Sequence, residues 1–282
     1  MRYGDLYRRG EKILSEAGIE EAAVDARLLL EFVTGQERNT LFAHPDLEVS
    51  QDNGAKYEEY LAKRAKRVPL QYITRRQSFM GLSFSVNENV LIPRQDTEIL
   101  VEEVMREPFD GSRILDICSG SGCILLSLLH YSNDSIGVGL EISPKAIEIA
   151  EENAALLELK ERAVFLESDL LEKAEGKFDI IVANPPYIKT DVIKELMPEV
   201  KNHEPVLALD GGEDGLLYYE EILSGIGAFA KRGTRLYFEI GYDQGEAVSR
   251  LMKDNGFAEV KVIQDYAGLD RVVCGRFTCL TD

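Results

Sequence analysis

The tetrapeptide Asn184-Pro185-Pro186-Tyr187 is the segment of this 282-residue chain whose residue types point most directly to chemistry. Consecutive prolines fix φ and bar the backbone from a helix or a strand ladder. The Asn184 side-chain amide oxygen and the peptide carbonyl after it are thereby held toward one cleft. Two such acceptors can grip the N–H groups of a planar nitrogen conjugated to a carbonyl or an aromatic ring. Such a nitrogen is a poor nucleophile, and the grip aims its lone pair at an electrophile. Tyr187 can cover the planar group. In isolation, a plain turn after a buried strand would use the same residues.

A second set of residues would supply a ligand site nearby. The strand ending in Asp116 and Ile117 runs into Cys118, Ser119, Gly120, Ser121 and Gly122, and an apolar helix follows at once. A glycine-rich strand-to-helix turn lets backbone approach a ligand beside a helix N-terminus. The dinucleotide fingerprint needs a third small residue, and Leu125 stands there, which disfavours a nicotinamide dinucleotide. Glu141 lies 19 residues beyond Gly122, at the tip of the next strand. A carboxylate there can accept both hydroxyls of a ribose, so an adenosine-bearing ligand is implied. At the third strand tip, Asp169 and Leu170 stand where an adenine edge would be read.

These tips need a scaffold. From about Thr97, helical stretches alternate with short apolar strands (SRILDI, SIGVGLE, AVFLESD, FDIIVAN, TRLYFEI), the pattern of an α/β, doubly wound, mostly parallel sheet. The loop at 266–270 is too short for a helical crossover, so the last strand should run antiparallel. Residues 1–75 carry apolar residues at helical spacing and read as a small helical bundle. Residues 76–93 alternate like a β-hairpin, with Asn87-Glu88-Asn89 as its turn, and serve as a linker to the domain at 94–282.

Composition narrows the function classes. With 32 Lys+Arg against 50 Asp+Glu, the net charge of −18 repels polyphosphates, so direct nucleic-acid binding is not expected. The first 70 residues hold 11 basic against 13 acidic residues, leaving most of the negative charge to the α/β part. Cys118, Cys123, Cys274 and Cys279 lack the spacing of a structural zinc site and read as reduced core thiols, with no metal expected. The charged N-terminus is no secretory signal and no window is long and apolar enough for a membrane span, so a cytoplasmic protein is expected.

Together, the strand-tip residues resemble class I S-adenosylmethionine-dependent methyltransferases, and NPPY is the tetrapeptide of those acting on planar NH2 groups. The segments Pro69-Leu70-Gln71-Tyr72-Ile73, Leu91-Ile92-Pro93-Arg94-Gln95-Asp96-Thr97-Glu98, Glu204-Pro205, Asp214-Gly215-Leu216 and Glu239-Ile240-Gly241 resemble the HemK/PrmC family, the peptide chain release factor glutamine methyltransferases. The resemblance implies a seven-stranded class I methyltransferase sheet and S-adenosyl-L-methionine as cofactor, with S-adenosyl-L-homocysteine as product. Its implied substrate is the glutamine of the GGQ loop in class 1 release factors, methylated at N5 to modulate translation termination. By the same resemblance Asp116 and residues 118–122 hold the methionine part, Glu141 the ribose, and Asp169 and Leu170 border the adenine. Asn184 would stand between cofactor and substrate, its Oδ1 and the Pro185 carbonyl accepting the two amide hydrogens for an in-line transfer, with Pro186 and Tyr187 completing the set. The bundle would act as a substrate-binding domain of a monomer, and the basic run Lys63, Arg64, Lys66, Arg67, Arg75 and Arg76 could meet an acidic partner face. Three departures from the family pattern stand out: Cys118 opens the loop where glycine is common, Gln95 stands where proline is frequent, and Arg75 replaces a frequent glycine. The rivals weighed are a nucleic-acid amino methyltransferase and a non-catalytic binding protein.

Overall fold

A computed structural model of the protein describes residues 1–278; Cys279 lies outside the described residues. In chain order the elements are α1 (Tyr3–Glu16), α2 (Ala22–Thr34), α3 (Arg38–Ala43), α4 (Gln51–Ala65), α5 (Leu70–Thr74), β1 (Arg76–Phe79), β2 (Leu82–Ser85), α6 (Gln95–Met105) and β3 (Arg113–Ile117). Then follow α7 (Cys123–His130), β4 (Ile136–Glu141), α8 (Pro144–Leu156), β5 (Ala163–Glu167), β6 (Phe178–Ala183), α9 (Pro198–His203), α10 (Leu217–Ile226), β7 (Ala230–Glu239), α11 (Gly245–Asp254), β8 (Phe257–Gln264) and β9 (Asp270–Phe277).

The chain divides into two compact units. One comprises residues 1–76 with 197–203, the other residues 77–196 with 204–282. In the helical unit, Leu6, Leu14, Leu29, Leu30, Tyr57 and Leu61 form the core. Tyr57 reaches across it to donate from Oη to the Ala26 carbonyl at 3.0 Å. Part of the basic run is spent inside this unit, while Lys66, Arg75 and Arg76 are exposed. Arg64, 8% exposed, donates from Nε to Asp25 at 2.6 Å and from Nη1 to Glu199 at 3.1 Å. Arg67 Nη1 donates to the same Glu199 oxygen at 3.1 Å, and Lys63 pairs with Glu59. A buried arginine needs such partners because an unpaired interior charge is far more costly than a paired one.

The hairpin turns earlier than expected. β1 and β2 pair across Met80 and Gly81, at φ of +50° and +72°, and not across 87–89. Two successive positive-φ residues match the twist of a tight hairpin, a condition glycine meets without steric cost. Arg75 ends α5 in the left-handed region at φ +60°, a conformation that glycine adopts freely.

The second unit is built on a seven-stranded sheet of order β5-β4-β3-β6-β7-β9-β8. β3 pairs in parallel with both β4 and β6, and β7 continues the parallel set. As expected, the last strand is antiparallel, and it inserts between β7 and β8. β3 is buried on both faces from Ile114 to Ile117, and α7 buries seven of its eight residues between the sheet and the helices α6 and α8. Each fully buried Leu or Ile contributes roughly 1.5–3 kcal/mol, so this central layer is rigid. The strand order reverses between β3 and β6, and at such a switch point the carboxyl-end loops part to leave a crevice.

Candidate active site

The registers align the tips that matter. Ile117 pairs with Leu140 on one side and Ala183 on the other, and Glu141 pairs with Glu167. The loops after β3, β4, β5 and β6 therefore leave the sheet at one edge. They surround a cavity of about 370 Å³ lined by Cys118, Ser119, Gly120, Ser121, Glu141, Asp169, Leu170, Asn184 and Pro186 among others. That volume falls in the range of small-ligand pockets. Asp116, Gly122, Pro185 and Tyr187 are not part of its wall.

On the glycine-loop side the backbone is unusual. Cys118, Gly120 and Gly122 take φ of +61°, +53° and +76°, and Leu170 takes +43°. Left-handed backbone at Cys118 is the conformation glycine adopts freely, and a non-glycine residue there carries strain of the kind found at ligand sites. Glu141 ties the loop to the next helix. Its Oε2 accepts from the Gly120 N–H at 2.8 Å and its Oε1 from the Ser143 N–H at 3.0 Å. Burial raises the Glu141 carboxyl above its ordinary value, and those two N–H bonds work against the rise. Ser143 caps α8, its Oγ accepting from the Ala146 N–H at 3.3 Å with Pro144 next in line. Asp116 lies behind the loop, fully buried. Its Oδ2 accepts from the Leu125 N–H at 3.3 Å, and burial pushes its carboxyl up to about 8. Burial and the neighbouring carboxylates also push the Cys118 thiol well up, so it is not a thiolate nucleophile.

The tetrapeptide side is caged. The Tyr187 carbonyl accepts from Gln244 Nε2 at 3.1 Å, which also donates to the Gly215 carbonyl at 3.0 Å. Gln244 Oε1 accepts from the Gly241 N–H at 2.8 Å, so both ends of that amide are engaged. A Cβ at Gly211 would stand 2.7 Å from Tyr187 Cα, and one at Gly215 would stand 2.5 Å from the Tyr187 carbonyl oxygen. Tyr187 Oη donates to Glu239 Oε1 at 3.2 Å. Asn184 Nδ2 donates to Thr97 Oγ1 at 3.5 Å, which leaves the Oδ1 end as the acceptor.

Several wall residues were not singled out from sequence. Thr97, Ser143, Leu217, Tyr218 and Glu221 line the cavity. Thr97 belongs to the motif at 91–98, but nothing in its spacing tells that the hydroxyl meets Asn184. Arg94 of the same motif donates from Nη2 to both oxygens of Glu204, at 2.6 and 2.7 Å, joining two of the recognised segments. Pro93 and Pro205, next to that pair, both line the cavity.

The PrmC N-terminal domain family model matches residues 5–74, and the methyltransferase small domain model matches residues 94–203. The release factor glutamine methyltransferase of Clostridium acetobutylicum is 39% identical over 278 residues, covering 97% of this chain and 98% of its own length. That of Caulobacter vibrioides is 42% identical over 265 residues, covering 93% and 92%. Among solved structures, a methyltransferase from Pyrococcus furiosus superposes with a TM-score of 0.55 at 15% identity, over 82% of this chain and 100% of that one. That likeness is one of fold.

Proposed function

The chain belongs to the release factor glutamine methyltransferase family and is an S-adenosylmethionine-dependent methyltransferase; from that premise we propose that it methylates N5 of the glutamine in the Gly-Gly-Gln loop of class 1 peptide chain release factors, modulating translation termination. The observation that carries this reading is the shared cavity. Asn184 and Pro186 line the same cavity as Glu141 and the glycine loop, which supports an amide gripped at one end facing a nucleoside site at the other.

The residues present fit the cofactor. Each Glu141 oxygen holds a single backbone N–H and retains acceptor capacity for a ribose hydroxyl. Ser119 Oγ is buried on the cavity wall with no hydrogen-bond partner among the described residues, which a polar ligand group would supply. The space into which a Gly120 Cβ would project is empty within 4 Å, leaving room for a ligand against the loop backbone. Asp169 and Leu170 would border the adenine, and Asp116 would support the loop from behind.

When bound, S-adenosylmethionine supplies a methyl group on a sulfonium sulfur, an electrophile. The protein's own contribution is orientation. Asn184 Oδ1 and the Pro185 carbonyl each accept one N–H of the target amide, which fixes the nitrogen and enriches its lone pair without a general base; after transfer the strongly acidic methylated nitrogen loses its extra proton to water. Two preorganised acceptors cost no reorganisation at the moment of reaction. The flanking glycines of the target loop let the glutamine side chain enter a narrow opening. The helical unit acts as the substrate-binding domain of a cytoplasmic monomer. No helix among the described residues is long and apolar enough to cross a membrane.

The test is radiolabelled methyl transfer offered to a release factor, to its loop Gln→Ala variant and to duplex DNA. Label on the factor that vanishes with the loop variant, located by mass spectrometry, is the expected result. Label on DNA would replace the substrate assignment.

A further inference from the structure

A glutamine amide has two hydrogens to donate at one end and an oxygen that accepts at the other. Gln244, 4% exposed, commits both ends to backbone. Its Nε2 donates to the Tyr187 carbonyl at 3.1 Å and to the Gly215 carbonyl at 3.0 Å, while Oε1 accepts from the Gly241 N–H at 2.8 Å. A carbonyl can only accept and a backbone N–H can only donate, so the amide fits in one direction alone. The residue is itself held by its own turn. The Gln244 N–H donates to the Gly241 carbonyl at 3.0 Å, and the Gln244 carbonyl accepts from the Val248 N–H at 3.0 Å in the first turns of α11.

Three segments therefore meet on one side chain: the loop after β6, the loop before α10 and the loop after β7. Two of them carry the segments Asp214-Gly215-Leu216 and Glu239-Ile240-Gly241, whose place in the chemistry their sequence does not tell. Their glycines let the amide in. A Cβ at Gly215 would stand 2.7 Å from Gln244 Nε2, and one at Gly241 would stand 3.1 Å from Oε1.

The tetrapeptide is short of other restraints. Upstream it is fixed where Ala183 pairs with Ile117 and Phe238. Pro185 and Pro186 have no N–H to bond, and with φ set by their rings the direction of each proline carbonyl turns on ψ. Downstream, the peptide plane between Tyr187 and Ile188 is held at both polar ends. Its N–H donates to the Leu209 carbonyl at 3.0 Å, and its carbonyl accepts from Gln244. Without the Gln244 donor one end of that plane is released, and the rotation passes back through Pro186 to the Pro185 carbonyl. Gln244 is not part of the cavity wall, so it acts through this backbone and not by touching a ligand. We propose that Gln244 is a positioning residue for methyl transfer: acting through the Tyr187 carbonyl, it sets the direction of the Pro185 carbonyl that accepts an N–H of the target amide. The proposal rests on the role given to Pro185 above.

The test uses the full chain. Gln244→Met keeps the length of the side chain and removes its hydrogen bonds. Gln244→Glu keeps the shape and the acceptor toward Gly241 but, when ionised, sets an oxygen against two carbonyls. Both variants should lower kcat about 10–100 fold with cofactor affinity unchanged in calorimetric titration, because the Glu141 side of the cavity is untouched. A second readout does not depend on activity. Pro186-Tyr187 is the only Pro-Tyr pair in the sequence, so 13C-carbonyl proline combined with 15N-tyrosine marks a single peptide group. Its NMR signal should shift or split in both variants and stay in place in Glu246→Gln, a change at an exposed residue of the same helix. A folded variant with kcat within twofold of wild type, or with that signal unmoved, would overturn the proposal while leaving the substrate assignment standing. Failure of both variants to fold would also overturn it, by making the amide a matter of stability alone. A signal that moves as expected in a protein whose wild type transfers nothing to a release factor would overturn the substrate assignment instead.

Discussion

The two halves of the cavity are built on opposite plans. Around the glycine loop, polar atoms are left uncommitted: Ser119 Oγ has no partner among the described residues, and the Glu141 carboxylate holds only two backbone N–H groups. Around the tetrapeptide the Tyr187 carbonyl is bonded to Gln244, the Tyr187 hydroxyl to Glu239, and the Asn184 amide to Thr97. On the proposed function the first half exchanges its occupant at each turnover, and its hydrogen-bonding capacity is open to a ligand. On the same reading the second half presents the same two acceptors every time, and those neighbours hold its geometry. Strain follows the same division, with left-handed non-glycine backbone at Cys118 and Leu170 on the exchanging side.

The strongest challenge to this contrast is Asn184→Ala, expected to lower the transfer rate about 10²–10³ fold while cofactor affinity stays the same. Comparable activity in the variant would remove the tetrapeptide side chain from the mechanism. Asp116→Asn probes what lies behind the open half. The folded protein holds the Asp116 proton up to about 8, so the unfolded chain releases it first, and stability falls as pH rises from about 4 toward 8. The variant should lack this slope and gain a few kcal/mol over the wild type at the alkaline end; thermal unfolding curves that run parallel across pH would locate the slope elsewhere.

Glu141→Ala should weaken cofactor binding by about 1.5–3 kcal/mol through lost charged hydrogen bonds, with calorimetric titration as the check. Gly211→Ala places a Cβ against Tyr187 backbone, which cannot move aside, and should cost about 1–3 kcal/mol of stability and slow transfer without affecting cofactor binding. Gly120→Ala meets no atom but must hold φ +53°, a cost of about 1–2 kcal/mol, and should reduce cofactor affinity with the tetrapeptide undisturbed. Equal effects of the two alanines on cofactor binding would abolish the division into halves.

Much of the site was legible because its parts are local. The strand-tip loops, Glu141 and the tetrapeptide each follow a short apolar strand, and parallel strands of one sheet carry their carboxyl-end loops to one edge. Sequence places the hairpin turn at 87–89 because asparagines favour turns wherever they occur, whereas in the structure the turn is at Met80-Gly81 and the buried Phe79 and Phe84 rings pack edge to face across the hairpin, centroids 6.0 Å apart. The basic run was read as a surface because charge runs usually are one. Arg64 and Arg67 instead enclose Glu199, whose separation in sequence no local pattern spans.

From sequence alone follow the α/β class, the antiparallel last strand, the crevice at the strand tips and nine of the residues that line it. All of these depend on periodicity, turn chemistry and short motifs, which act over a few residues. Tertiary structure alone decided that β9 inserts between β7 and β8, that residues 197–203 join the helical unit, and that Thr97 and Glu239 stand behind the tetrapeptide. Those pairings depend on which buried polar groups find partners once the chain is compact, and an unpaired interior group costs enough to select one arrangement among many.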